Sequence, residues 1–244
     1  MSLEILFEDN HCLAVNKPAG VPSQADESGA ETLVDLAGGY LKNRYAKPGN
    51  VYVGLVHRLD RPTSGVVLLA RTSKAASRLA SQFRDGAVSK LYWAIVEGAP
   101  PEDQGVWTDR LEKDRSTNRT RSLSGSEEGG KPAEVAFRVL ERRPGAAWLE
   151  LRPLTGRSHQ LRVQLASRGL PIMGDVRYGA RIRIQAADGV GRIALHARAL
   201  RFTHPTRGEG IEVEAPVPAD WPEPWRSRPE LRYASSRPAE GSDP

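Results

Sequence analysis

An α+β fold, a mixed and largely antiparallel sheet with flanking helices, is what this sequence predicts. Short apolar segments of strand length recur along the chain and mostly neighbour one another. Only a few segments carry the period of a helix, and no internal repeat is present.

LEILFED and CLAVN read as two short strands joined at Asp9-Asn10, and NKPAGVPSQ then makes an irregular stretch, because its prolines cannot donate ladder bonds. AETLVDLAGGYLK (30–42) has apolar residues at helical spacing, although Gly38 and Gly39 weaken a helix. VYVGLVHRLD alternates and ends in charge, the turn segment RPTSG follows, and VVLLAR is the continuous apolar run of a buried strand. Ser73 is the expected N-cap of an amphipathic helix over KAASRLASQFRDG, with Ala76, Leu79, Ala80 and Phe83 on one face and Gly86 at its end.

KLYWAIVEG is the next strand. Residues 100–132, with DRLEKDRSTNRTR running into SLSGSEEGG, read as an exposed polar arm. EVAFRVLER and AAWLELRPLT form a hairpin across Pro144-Gly145, HQLRVQLASRG a helix that Gly169 ends, and IALHARALRFTHP and IEVEAPVP two closing strands. One domain over 1–226 is expected, followed by a disordered tail over 227–244, which is rich in Arg, Pro and Ser and poor in apolar anchors.

The chain has 244 residues, 39% of them hydrophobic, enough for a sizeable core. No apolar run reaches the roughly 18 residues of a membrane span, and MSLEILFEDNH has no signal-peptide pattern, so a soluble, cytoplasmic protein is expected. The single cysteine, Cys12, sits in an apolar stretch as a buried structural thiol. A net charge of +5 and a pI near 9.5 suit a polyanionic partner without requiring one. Arg greatly outnumbers Lys, and the guanidinium fork holds phosphate and stacks on bases, which points toward nucleic acid.

Two clusters can carry chemistry. His57-Arg58-Leu59-Asp60, followed by Thr63-Ser64-Gly65, lies in a loop between two strands, where a rigid sheet presents side chains to ligand. Asp60 is the candidate carboxylate; its plainer role is a turn cap. Thr155 to Arg162 (TGRSHQLR) places Arg157, His159, Gln160 and Arg162 where a turn enters a helix. An arginine beside a buried carboxylate favours its charged form, and Arg162 is the candidate partner. None of the five histidines shows the close pairing of zinc ligands and there is no cysteine cluster, so no metal is expected. Gly-x-Ser-x-Gly is absent and Ser64 has no evident base. A phosphate-cradling Gly-x-x-x-x-Gly-Lys loop is missing as well.

Taken in order, these segments resemble the RluA family of RNA pseudouridine synthases from about residue 4 to residue 217. HRLDRPTSGVVLLAR is similar to the family's catalytic segment, and KLYWAIVEG to its K-x-Y-x-A-x-V-x-G strand. LRPLTGRSHQLRVQLASRGLPIMGDVRYG looks like its third segment, LHARALRFTHP like its closing strand and NKPAGVPSQ like its N-K-P-x-G loop. The resemblance implies the pseudouridine synthase catalytic fold and cofactor-free isomerisation of uridine in ribosomal or transfer RNA. It implies Asp60 as nucleophile, Tyr92 as the active-site tyrosine and Arg162 as the arginine that pairs with the aspartate.

Under that resemblance Asp60 can add to uracil C6, trap the sugar C1′, or help remove a sugar proton; the sequence does not choose. Tyr92 can lie against the uracil or take the C5 proton, and is otherwise a core aromatic. His57, Arg58, Arg61, Thr63, Arg157, His159 and Gln160 are the expected RNA contacts, because a flipped nucleotide enters beside the nucleophile. Gln24 and Gln164 stand where many relatives carry histidine. The chain starts at the catalytic segment with no room for a small S4-type domain, which makes the 109–130 arm a candidate extra RNA contact, or else a solvated loop. A monomer bound to a structured RNA stem-loop is the expected assembly. A catalytically silent RNA-binding module and an unrelated Asp60 hydrolase are the competing readings.

Overall fold

The computed structural model describes residues 3–26, 29–46, 48–114, 116–117, 119–123, 127–185, 191–219, 221–223 and 225. The chain opens with β1 (Glu4–Glu8) and β2 (Cys12–Lys17), crosses the NKPAGVPSQ loop and enters α1 (Leu33–Arg44). Thr32 caps α1 through a reciprocal box with Asp35, and Gly38 and Gly39 face open space, so the two glycines cost the helix no packing.

VYVGLVHRLD contributes only β3 (Gly54–Leu55); the residues from Val56 to Thr63 leave the ladder and form the loop that carries Asp60. β4 (Ser64–Ala70) and α2 (Ser73–Arg84) follow. The α2 N-cap is Thr72, not Ser73: the Thr72 hydroxyl accepts from the Ala75 amide, and Thr72 has the extended backbone that a cap needs.

After β5 (Ser89–Glu97) the expected polar arm is mostly strand. β6 (Gln104–Asp114) and β7 (Arg119–Ser122) make a hairpin, and β6 pairs with β8 (Lys131–Arg143) from Gln104↔Arg138 to Leu111↔Lys131. Trp107 of β6 stacks on Phe137 of β8 at 3.9 Å. Most of β6 meets solvent on one face, which gave it the polar composition of a loop.

β8 turns at Pro144-Gly145 into β9 (Ala146–Pro153), and α3 (Gln160–Ala166) is followed by a 3-10 turn at Val176–Tyr178. A small ribbon of β10 (Ile184–Gln185) and β11 (Gly191–Arg192) precedes β12 (Leu195–Thr203) and β13 (Gly210–Glu214). The expected tail, 227–244, lies outside the described residues.

The main sheet runs β1-β2-β4-β12-β5-β9-β8-β6-β7. Every pairing in it is antiparallel except β4 with β12, which is parallel over His196↔Ser64 and Ala197↔Gly65. Beyond that short contact β4 parts from β12, and β13 takes its place along Ala199–Thr203. The fold is therefore the mixed, largely antiparallel α+β arrangement that the sequence predicts.

Both faces of the β2–β4 half are covered. Cys12, Ala14, Val66, Leu68 and Ala70 pack with Ala75 and Leu79 of α2, while Leu13, Val15, Val67 and Leu69 pack with Leu33, Ala37 and Leu41 of α1. Two-sided burial explains the unbroken apolar run of β4. Across β12, a third core joins β5 and β9 to Leu161 and Leu165 of α3 and to Trp221 and Trp225.

Gly65 marks the place where β4 meets β12. Its φ is +114°, and a Cβ there would lie 2.2 Å from the Ala197 carbonyl oxygen. A side chain would both strain the backbone and push apart the two strands that hold the Asp60 loop. Gly65→Ala is expected to lower the free energy of unfolding by roughly 2–4 kcal/mol in urea titrations, from overpacking plus the unfavourable φ.

Candidate active site

The Asp60 loop is braced through its backbone. The Thr63 amide donates to the Asp60 carbonyl at 3.0 Å, closing a tight turn. Lys17, fully buried, spends its three protons on the carbonyls of Pro18, Val21 and Arg61 at 3.0, 2.8 and 3.2 Å. The Gly20 amide also donates to the Arg61 carbonyl, and the Ser23 hydroxyl to that of Leu59. NKPAGVPSQ, irregular in sequence, is thus the buttress of the loop. Burial pulls the Lys17 ammonium down to about 7, against the attraction of the Asp60 carboxylate.

Arg162, in the first turn of α3, reaches two carboxylates. Its Nε and one terminal nitrogen donate to Asp175 at 2.6 and 2.8 Å, a fork-on-fork pair, and its other terminal nitrogen donates to Asp60 at 3.2 Å. Burial works against the guanidinium charge, but the Asp175 hydrogen bonds and the two negative charges outweigh it and raise the Arg162 pKa. The Arg162 guanidinium also lies over the Tyr178 ring, 4.9 Å from its centroid. Asp175 itself follows Gly174, whose φ is +88° and whose missing Cβ leaves room for the Arg192 carbonyl.

His159 caps the N-terminal end of α3 in the left-handed region, with φ 52° and no side-chain bond to the helix. Its Nδ1 is 2.7 Å from the Tyr178 hydroxyl and its Nε2 is 3.8 Å from Asp60 Oδ1. Burial lowers its pKa, the Asp60 charge opposes that and the Arg162 charge adds to it.

Tyr92 and Lys90 are two residues apart on β5 and line the same cavity as Asp60. Burial, and after it the Asp60 charge, push the Tyr92 phenol well above its ordinary value, so it stands as a neutral hydroxyl. Lys90 donates to the Thr155 carbonyl at 2.9 Å, and burial lowers its pKa.

The cavity holds about 440 Å³, within the usual range of ligand sites. His57, Arg58, Asp60, Thr63, Tyr92, Arg157, His159, Gln160 and Arg162 all line it; Arg61 does not. Arg61 turns away, its Nε donating to the Gly20 carbonyl at 2.9 Å and its guanidinium 3.8 Å from Asp26. Arg58 and Arg84, the latter a guanidinium not singled out from the sequence, are exposed and line the cavity, and Arg157 lines it half-buried with its Nε donating to the Pro132 carbonyl at 2.9 Å.

Two further lining residues also bind the protein. His57 Nε2 accepts from the Leu68 amide at 2.9 Å, and its ring stacks on Phe83 at 4.3 Å. Gln160 accepts from the Arg157 amide and the Thr155 hydroxyl and donates to the Glu134 carbonyl, which ties the loop before α3 to β8. Thr63 is buried, and its hydroxyl has no protein partner among the described residues.

Asp175, Tyr178, Lys17 and Lys90 went unassigned in the sequence, although each stands in one of its motif segments. Ser64 does meet a base, since its Oγ is 2.9 Å from His196 Nδ1, but both are buried and neither lines the cavity. Cys12 is buried and its thiol is pushed up to about 12, chiefly by desolvation, as an inert thiol should be. Asp9, Cys12 and His204 form the single His/Cys/Asp/Glu group with metal-like proximity among the described residues. It lies outside the cavity, and its carboxylate and ring already bind one another and the backbone.

A sequence model of the RNA pseudouridylate synthase family matches residues 11–167, a span that holds the Asp60 loop, β5 and α3. The chain belongs to that family. The RluA group that its motifs resemble is the branch to which it belongs within this RNA pseudouridylate synthase family. It is 37% identical over 215 residues to the Ribosomal large subunit pseudouridine synthase C of Vibrio vulnificus (strain CMCP6), covering 87% of this chain and 65% of that protein. It is 39% identical over 217 residues to the protein of the same name from Escherichia coli (strain K12), covering 87% and 66%. The chain thus spans just under two thirds of the length of these curated relatives.

Among solved structures of the family, Human RNA Pseudouridylate Synthase Domain Containing 4 superposes with a TM-score of 0.72 at 26% identity, covering 88% of this chain and 89% of that one. Human RNA Pseudouridylate Synthase Domain Containing 1 does so with 0.68 at 30% identity, covering 88% and 84%.

His57 gives this site a pH signature. Burial, with Lys90 adding to it, holds the ring pKa at about 3 against an ordinary 6.5. Below pH 6.5 the unfolded chain takes up a proton that the folded chain refuses, so stability falls as pH drops from 6.5 toward 3. His57→Gln keeps an acceptor for the Leu68 amide and removes the titration; its urea midpoint should fall less steeply than wild type between pH 6.5 and pH 4.

Proposed function

We propose that this chain isomerises uridine to pseudouridine in structured RNA, ribosomal RNA of the large subunit in the first place, with Asp60 as the nucleophile. The observation that carries this reading is the carboxylate of Asp60, set in a cavity of about 440 Å³ and bound by an arginine that a second carboxylate holds still. The relatives named for the ribosomal large subunit support the choice of RNA, and transfer RNA is the alternative substrate.

The reaction breaks the bond between C1′ and N1, turns the uracil and joins C1′ to C5. Its protein requirements are few: an anion placed against the nucleotide, a surface along which the ring can turn, and exclusion of water from the cleaved intermediate. Asp60 supplies the anion whether it attacks C6, attacks C1′ or helps remove a sugar proton. Tyr92 supplies the surface. Its raised pKa favours contact with the uracil face over a standing role as the C5 base, because a base must first lose its own proton.

The target base enters by flipping out of its stack, at a cost of about a few kcal/mol that RNA loops keep low. Arg58, Arg84 and Arg157, which line the cavity with Lys90, give the flanking phosphates their counter-charges. Gln160, whose amide is taken up by the protein, acts here by shaping the pocket, as does the His57 ring, fixed through its Nε2, and Arg61 acts by holding the loop after β2. No cofactor enters this scheme.

Incubating the protein with large-subunit ribosomal RNA and with transfer RNA, followed by pseudouridine mapping, tests the reading. Wild type should modify defined uridines and Asp60→Asn none, with RNA affinity retained. Turnover by Asp60→Asn would sink the nucleophile assignment; binding without modification by wild type would favour a silent RNA-binding module.

A further inference from the structure

We infer that His159 is a positioning residue for the Asp60 carboxylate, and that the β6–β7 hairpin sets its tautomer through the hydroxyl of Tyr178. The inference rests on the uridine-isomerising reading of the cavity and adds to it a relay of donors.

The relay starts at a backbone amide. Thr120, on β7, donates its N–H to the Tyr178 oxygen at 3.1 Å. A phenol oxygen that accepts on one side has its own proton free for another partner, and His159 Nδ1 lies 2.7 Å away. An imidazole nitrogen that accepts a hydrogen bond carries no proton, so the neutral ring bears its hydrogen on Nε2. Nε2 is the atom that faces Asp60 Oδ1, at 3.8 Å. Desolvation, the leading influence on this ring, favours the neutral form.

The two oxygens of Asp60 are therefore addressed separately. Arg162 donates to Oδ2 at 3.2 Å, and the His159 N–H is aimed at Oδ1 from just beyond hydrogen-bond distance. Such bonds are often long before substrate binds and tighten when it does. A carboxylate held at both oxygens presents one defined edge to the nucleotide, whereas one held at a single oxygen can rotate.

The backbone of His159 supports the same conclusion. Its φ of 52° is an uncommon conformation for a residue with a side chain, and the ring makes no capping bond to α3 that would explain it. The conformation turns the ring toward Tyr178 and Asp60, and strain of this kind persists where the surroundings hold it for a purpose. Tyr178 serves both arms of the arrangement, since its ring also lies beneath the Arg162 guanidinium. The hairpin read from sequence as a solvent-exposed arm is thus wired to the carboxylate.

Two measurements test this. Long-range proton–nitrogen correlation spectra of protein labelled with 15N-histidine should show His159 in the Nε2–H form, the signal being identified by its loss in His159→Asn, a residue that tolerates the left-handed backbone. The Nδ1–H form would overturn the relay. In single-turnover assays, Tyr178→Phe keeps the ring over Arg162 and loses the hydroxyl; the rate should fall roughly ten- to a hundredfold with the RNA Kd unchanged. Added to His159→Asn, it should cost nothing more. A full rate for Tyr178→Phe, or losses that add, would contradict the inference. If wild type forms no pseudouridine on any RNA offered, the reading of the reaction fails, and the tautomer spectrum alone decides the relay.

Discussion

Arg162 carries one positive charge between two carboxylates, and the cavity around it has its shape because that charge must be held. A buried guanidinium is costly unless its donors are used, and here Asp175 takes two of them at 2.6 and 2.8 Å while Asp60 takes a third. The fork to Asp175 fixes the plane of the group. What remains for Asp60 is a single, directed contact from Arg162 to Oδ2, while Oδ1 faces His159 Nε2 at 3.8 Å. The need for this clamp explains Gly174, whose positive φ lets the chain turn close to Arg192, and the ring of Tyr178 beneath the guanidinium.

The sheet supplies the other half of the constraint. β4 is buried on both faces, by α1 on one side and α2 on the other, and so cannot move without opening two cores. Asp60 sits just before that strand, close to the short stretch where β4 meets β12. Gly65 allows the approach between these strands, and the Lys17 ammonium pins the Arg61 carbonyl from below. Rigid strands on either side and a loop tied by its backbone leave the side chains of the loop free to face a ligand, which is how a scaffold can carry chemistry without being deformed by it.

Much of this could be read from the residues. The element order was legible because apolar period and turn residues agree over most of the chain; Asp60, Tyr92 and Arg162 stand in specific motif segments, and the structure brings all three to one cavity. Two elements were not. VYVGLVHRLD alternates like a strand, yet most of it leaves the sheet to build the loop. The 104–122 hairpin has a polar composition because one face of β6 meets solvent, and its pairing with β8 is a long-range fact that no local pattern states. Asp175 and Lys17 were hidden for a different reason. A buried charge declares its partner only in three dimensions, so the sequence showed Arg162 and could not show what holds it. His57 and Gln160 line the cavity beside Asp60, where the Leu68 amide is bound to His57 Nε2 and the loop before α3 to the Gln160 amide, contacts that no local sequence pattern states.

If Asp60 acts because Asp175 immobilises Arg162, Asp175→Asn should disable the site without unfolding it. The substitution removes the charge that fixes the guanidinium and leaves every cavity-lining side chain in place. The variant should fold, bind RNA with wild-type affinity and form pseudouridine roughly a hundredfold more slowly in a single turnover, as expected for a misplaced reacting group. A wild-type rate from folded Asp175→Asn would contradict that dependence.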